Sequence, residues 1–303
     1  MIDVRGLTKR YGERTVLSDL TFEVRPGAVT GFLGPNGSGK TTTLRILLGL
    51  TEAHSGTATI GGRRYRELAH PLREVGALID PAGVNPARTA AEHLRWLAAA
   101  NRMPATRVDE VLARVGLEDA AGRRVGGFSL GMRQRLGIAA ALLGAPPVLV
   151  LDEPINGLDP EGIRWIRVFM QSLAAEGRTV FVSSHLMSEM ALTATELVVI
   201  GQGRLIAAES VAEFTARADS SVRVRSPQLA DLAAALAAEG ASLWRTDDAL
   251  EVVGVSIEQV GSIAQRLGAL LYELSPQRGS LEDAFMRLTA DSCEYVHVPE
   301  RAA

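Results

Sequence analysis

Gly34-Pro35-Asn36-Gly37-Ser38-Gly39-Lys40-Thr41 is the stretch that decides the fold. Its spacing, G-x-x-x-x-G-K-T, is that of a phosphate-binding loop. Glycines let the backbone curl until its N–H groups point inward at an anion. The helix that follows adds its positive end. In such a loop Lys40 reaches the β and γ phosphates, and the Thr41 hydroxyl, with Thr42 beside it, is placed for Mg²⁺. Of the 32 basic residues only Lys9 and Lys40 are lysine. A lysine kept in so arginine-rich a chain fits a site that needs a compact ammonium rather than a planar fork.

Working outward, Ala28–Leu33 is a short apolar run before the loop, and a helical stretch reaches about Leu50 after it. The order is strand, loop, helix. Val148-Leu149-Val150-Leu151-Asp152-Glu153 is a second apolar run, ending in two carboxylates. A continuous apolar strand reads as buried and parallel, and its carboxyl end faces the ligand crevice of an open α/β sheet. Asp152 is suited to hold Mg²⁺ through water, and Glu153 to orient and polarise an attacking water. Thr179–Val182, ending near His185, and Leu197–Ile200 read as further strands of the same kind.

Thr15–Leu17, Thr21–Val24 and Ala58–Ile60 read as short strands outside that set. Residues 82–143 are mostly helical: His93–Ala100, Val108–Val115 and the series Met132, Leu136, Ala139, Ala140, Leu143 have helical spacing. A boundary is expected near 217–221. Beyond it, strands at Val222–Val224, Ala241–Trp244, Leu250–Val253 and Leu270–Leu274 alternate with helices at Leu229–Ala238 and Ile257–Leu267, a small α+β unit. Ser280–Leu288 reads as a further helix, with Ser280 as cap and Asp283 at the capping-box position.

Net charge is −3 but uneven: +3 over residues 1–218 and −6 over 219–303. Neither part has the basic excess of a nucleic-acid binder. The single cysteine, Cys293, excludes an intramolecular disulfide and fits a reducing cytoplasm. The N-terminus shows no apolar signal core. No apolar stretch approaches the roughly 20 residues that span a bilayer. Any action on a membrane is therefore expected to pass through a partner.

Further segments give the chain a family resemblance. Phe128-Ser129-Leu130-Gly131-Met132-Arg133-Gln134-Arg135 resembles the signature segment of ATP-binding-cassette (ABC) ATPases. Asn156-Gly157-Leu158-Asp159 resembles their D-loop, and Val182-Ser183-Ser184-His185 their switch-histidine strand end. Tyr11 resembles the aromatic that stacks on adenine, and Val75–Asp80 lies where their Q-loop lies. The resemblance covers residues 1 to about 210. It implies a P-loop NTPase cassette of the α/β class over residues 1–218, with a parallel core sheet, an antiparallel β subdomain and a helical subdomain at about 82–143. Residues 219–303 would be a small accessory domain.

The resemblance also implies roles. Gly34, Pro35, Asn36, Gly37, Ser38, Gly39, Lys40, Thr41 and Thr42 would hold ATP, with Tyr11 against adenine. Thr41, Asp80 and Asp152 would serve Mg²⁺. Glu153 and His185 would be catalytic. Ser129 and Gly131 would complete the ATP site of a second subunit, expected to be another copy of this chain, and Asp159 of the D-loop would also bind the nucleotide. Two departures stand out. Asp80 replaces the usual Q-loop glutamine, and Leu130 and Met132 replace a glycine and a glutamine in the signature. That variant resembles bacterial drug and bacteriocin exporters, and Ser280–Thr289 resembles the tail of the same group. The implied protein is a cytoplasmic ATPase on the inner face of the membrane, energising a separate permease. Import, or a soluble ABC ATPase without transport, are the alternatives. One cassette, no long coiled-coil insertion and no basic excess count against the soluble type.

Overall fold

The structure, a computed structural model, describes residues 1–80, 83–216, 221–246, 248–277, 281–282 and 284–285. Cys293, Ser280 and Asp283 lie outside the described residues, as does most of the expected boundary at 217–221. The chain divides into two compact units between Val211 and Ala212.

The first unit opens with β1 (Ile2–Tyr11), β2 (Arg14–Val24), β3 (Val29–Leu33), α1 (Lys40–Leu47) and β4 (Ser55–Ile60). The short α2 (Pro71–Glu74) and β5 (Val75–Leu78) lead to three helices, α3 (Ala90–Ala100), α4 (Thr106–Val115) and α5 (Leu130–Leu142). Then come β6 (Val148–Asp152), α6 (Pro160–Ala175), β7 (Thr179–Ser184), α7 (Met187–Thr193), β8 (Glu196–Gly201) and β9 (Arg204–Ser210).

Among the described residues these strands form two sheets. A six-stranded sheet has the order β5-β6-β7-β3-β8-β9. Its first five strands are parallel and β9 is antiparallel. Every residue of β3, β6 and β7 is buried, which explains their unbroken apolar runs. The other sheet, β2-β1-β4, is antiparallel. Phe22 of β2 meets Phe32 of β3 and Phe181 of β7 with ring centroids 5.5 and 5.8 Å apart, and this aromatic knot joins the two sheets. The two short strands expected at 15–17 and 21–24 are one strand, β2. Asp19, at φ 54°, kinks it between them.

Across the boundary lies α8 (Val211–Ala216). The second unit continues with β10 (Ser221–Arg225), α9 (Leu229–Ala238), β11 (Ser242–Thr246), β12 (Ala249–Val253), α10 (Ile257–Leu267) and β13 (Glu273–Gln277). Its antiparallel sheet has the order β11-β12-β10-β13. Strand–helix–strand–strand–helix–strand with this order is the ferredoxin-like split βαβ motif. Leu232, Leu236, Val260 and Ile263 from the helices pack on Val222, Val224, Leu250 and Val252. The last strand begins three residues later than Leu270–Leu274 suggested. Leu270 and Tyr272 stay 56% and 66% exposed, and pairing with β10 selects Glu273–Gln277 instead. Pro276 is tolerated there because β13 is an edge strand.

Candidate active site

The crevice lies at the carboxyl ends of β6, β7 and β3, three adjacent strands. From β3 the chain enters the glycine loop, where Gly37 and Gly39 have φ of 81° and 105°. Side chains rarely adopt these angles, and they turn successive N–H groups into one concavity. Lys40, the first residue of α1, is only 6% exposed. Its Nζ donates to Gly34 O at 2.7 Å and Pro35 O at 3.3 Å, folding the lysine back under the loop. Burial pushes the Lys40 ammonium below its ordinary pKa, and the Glu153 and Asp152 carboxylates partly oppose that shift.

Glu153 follows the last residue of β6 and has φ 47°, a strained angle for a non-glycine residue. Its Oε1 lies 3.7 Å from Lys40 Nζ. Its Oε2 accepts from His185 Nδ1 at 3.0 Å, a bond that places the imidazole proton on Nδ1. One carboxylate thus sits between the loop lysine and the histidine that follows β7. Asp152, 8% exposed, accepts a hydrogen bond from the Ser183 hydroxyl.

A cleft of about 620 Å³ gathers Tyr11, Asn36, Lys40, Thr41, Glu153 and His185. Tyr11 is half-exposed, and Lys9 Nζ stands 4.8 Å over its ring. Arg14 and Asn156 also line it, though motif spacing alone does not single them out. Ser38 Oγ is buried without a hydrogen-bond partner. An orphaned hydroxyl in a loop of inward N–H groups fits a bound phosphate. Mg²⁺ also fits the donors. Thr41 and Asp152 offer oxygen only, and the described residues hold no group of three or more His, Cys, Asp or Glu able to cage a metal. Mg²⁺ keeps its waters and takes substrate phosphates in place of a protein cage.

Several expected residues, Asp152 among them, do not line this cleft, and four of these lie on other elements. Ser129 caps α5 and accepts from Met132 N–H at 3.2 Å. Gly131 lies in the first turn of the same helix. Asp159 caps α6, accepting from Gly162 N–H at 2.8 Å. Asp80 follows β5 and is not among the residues lining the cleft. Leu130, where the resemblance led one to look for glycine, lies against the D-loop. A Cβ on Gly157 would stand 2.4 Å from Leu130 Cδ2. The Arg135 guanidinium stacks 4.3 Å over Trp165, whose ring stacks on Phe169. These contacts tie α5 to α6 within the chain.

The sequence family described as ABC transporter matches residues 17–156. An uncharacterized ABC transporter ATP-binding protein of Bacillus subtilis, YhcH, is 35% identical over 302 residues, covering 98% of each chain. The chain belongs to the ABC transporter ATP-binding proteins. The bacitracin transport ATP-binding protein BcrA of Enterococcus faecalis is likewise 35% identical, over 95% of this chain and 96% of that one. Among solved structures, the dimeric structure of MJ0796, a bacterial ABC transporter cassette, superposes with a TM-score of 0.63 at 26% identity. It covers 70% of this chain and 99% of that chain. Residues 220–282 match a domain of unknown function (DUF8746). The chain is thus an ABC-type ATPase, built on the cassette fold expected from the phosphate loop. Among the described residues no helix is long and apolar enough to cross a membrane.

Proposed function

We propose that this chain hydrolyses ATP to energise a separate membrane permease that exports a drug, an antibiotic or another hydrophobic compound. The observation that carries the reading is Glu153 held between Lys40 and His185 beside the phosphate loop. Tyr11 stacks on adenine and residues 34–42 hold the phosphates. Thr41, Asp152 and Asp80 hold Mg²⁺. Bound Mg²⁺ neutralises charge on the β and γ phosphate oxygens. Glu153 takes a proton from water as the water oxygen attacks the γ-phosphorus. The bond to the β–γ bridging oxygen breaks, leaving ADP and phosphate. Before this attack, as ATP binds, Lys40 and His185, which hold Glu153 in the free chain, turn to the γ-phosphate.

Ser129, Gly131 and Asp159 stand outside this chain's own cleft, which supports their serving the ATP of a second copy. The dimeric solved cassette supports the same pairing. Export of an antibiotic-like compound is supported by likeness to the bacitracin transport protein along nearly the whole chain. The working place is the cytoplasmic face of the membrane, peripheral through the permease. Residues 1–218 form the ATPase domain and 219–303 an accessory domain.

The test uses inside-out membrane vesicles carrying this chain and the permease that co-purifies with it. Wild type is expected to drive ATP-dependent uptake of labelled bacitracin or a similar peptide antibiotic, and Glu153→Gln to abolish it. A chain that hydrolyses ATP but co-purifies with no membrane subunit would contradict the proposal.

A further inference from the structure

The catalytic glutamate and the magnesium aspartate are neighbours in sequence, yet their geometry is set from another strand. Ser183 lies on β7, directly opposite Asp152 of β6 in the parallel register. Its hydroxyl donates to Asp152 Oδ1 and accepts from the Glu153 backbone N–H at 2.9 Å. Ser183 is fully buried. On its other side β7 pairs with β3, where Ser183 stands beside Phe32, one residue before Leu33 at the end of that strand. One hydroxyl therefore spends its single proton on one acid and a lone pair on the backbone of the other. The backbone it grips is the strained one, with Glu153 at φ 47°. A non-glycine residue keeps such an angle only where its surroundings over-determine it. The Ser183 bond is one such constraint, and the turn bond from Asn156 N–H to Glu153 O at 3.2 Å is another.

We propose that Ser183 is a positioning residue of the hydrolytic step. It holds the Asp152 carboxylate and the Glu153 backbone in one geometry, so that the Glu153 side chain projects at the γ-phosphate. This inference rests on the ATPase reading above. It deepens that reading by assigning a function to a fully buried side chain. Nucleotide binding depends on the phosphate loop and Tyr11, none of which Ser183 contacts through its hydroxyl, so Ser183 acts on turnover rather than affinity.

The experiment compares wild type, Ser183→Ala, Ser183→Cys and Ser183→Thr in the full chain. It measures Mg²⁺-dependent ATP hydrolysis and, separately, equilibrium binding of the fluorescent nucleotide TNP-ATP. In Ser183→Ala, kcat is expected to fall about 100-fold, the scale of a misplacement of roughly 1 Å. KM and TNP-ATP affinity should stay within about twofold, since the Ser183 hydroxyl acts on the placement of Glu153 and not on a nucleotide contact. Ser183→Cys keeps the volume but offers only a weak donor, so it should fall with alanine. Ser183→Thr keeps the hydroxyl and should recover most of the rate. Unchanged kcat in Ser183→Ala, a cysteine variant as fast as wild type, or a loss of rate matched by an equal loss of TNP-ATP binding would each overturn the proposal. Wild-type protein without Mg²⁺-dependent hydrolysis would instead sink the ATPase reading, before Ser183 is tested at all.

Discussion

On the proposed mechanism, Lys40 and Glu153 divide the site's work between affinity and turnover. Lys40 is buried against its own loop carbonyls, and its ammonium is kept near the carboxylates that partly offset that burial. Lys40→Ala should weaken ATP binding by at least about tenfold, or 1.4 kcal/mol, as read by TNP-ATP titration. Glu153→Gln should keep that affinity while lowering kcat by about 100- to 10,000-fold, the span of general-base catalysis. Equal losses of affinity in both variants would refute the division. Much of this was legible in the sequence, because a glycine loop between strand and helix and an apolar run ending in acid are local signals. Ser183 was not legible as a functional residue. A serine near a strand end has no pattern of its own, and its two bonds exist only because β6 and β7 are neighbours in register.

Helix α3 shows how an element can carry pH sensitivity away from the site. Its start is fixed by a reciprocal cap, with Thr89 Oγ1 accepting from Glu92 N–H and Glu92 accepting from Thr89 N–H. One turn in, His93 is 8% exposed, with Nδ1 buried and unpartnered. Burial, and then the nearby Arg88, hold its pKa below the ordinary 6.5. The unfolded chain therefore takes up a proton near pH 6.5 that the folded chain refuses. Stability from a neutral His93 is present above pH 6.5 and declines as pH falls from there towards the folded pKa. His93→Gln should therefore lose less melting temperature than wild type between pH 7.5 and 5.5. An equal drop in both proteins would show that His93 is not the titrating group. Helix periodicity revealed α3 and α4 because each buries one apolar face, whereas α5 buries residues around most of its girth, Gln134 included. The register of β13 stayed hidden, since the apolar run Leu270–Leu274 resembles a strand while its first residues remain in solvent.

At the scale of the whole molecule, the cassette and the ferredoxin-like unit differ in charge as well as architecture, +3 over residues 1–211 against −4 over residues 212–288. The cassette holds its phosphate loop and the Glu153 carboxylate in one cleft. Its signature serine and D-loop aspartate cap helices elsewhere, tied together by Leu130 on Gly157 and by Arg135 on Trp165. That separation is what an ATP site shared between two chains requires. Sequence motifs announced the shared site only through family resemblance, because no local pattern states which chain a serine will serve. The most direct test of the shared site is the solution mass of Glu153→Gln by light scattering, with and without ATP and Mg²⁺. With hydrolysis stalled, the mass is predicted to shift from one chain to two on adding ATP. A protein that binds ATP yet stays a single chain would contradict a site completed by a second copy.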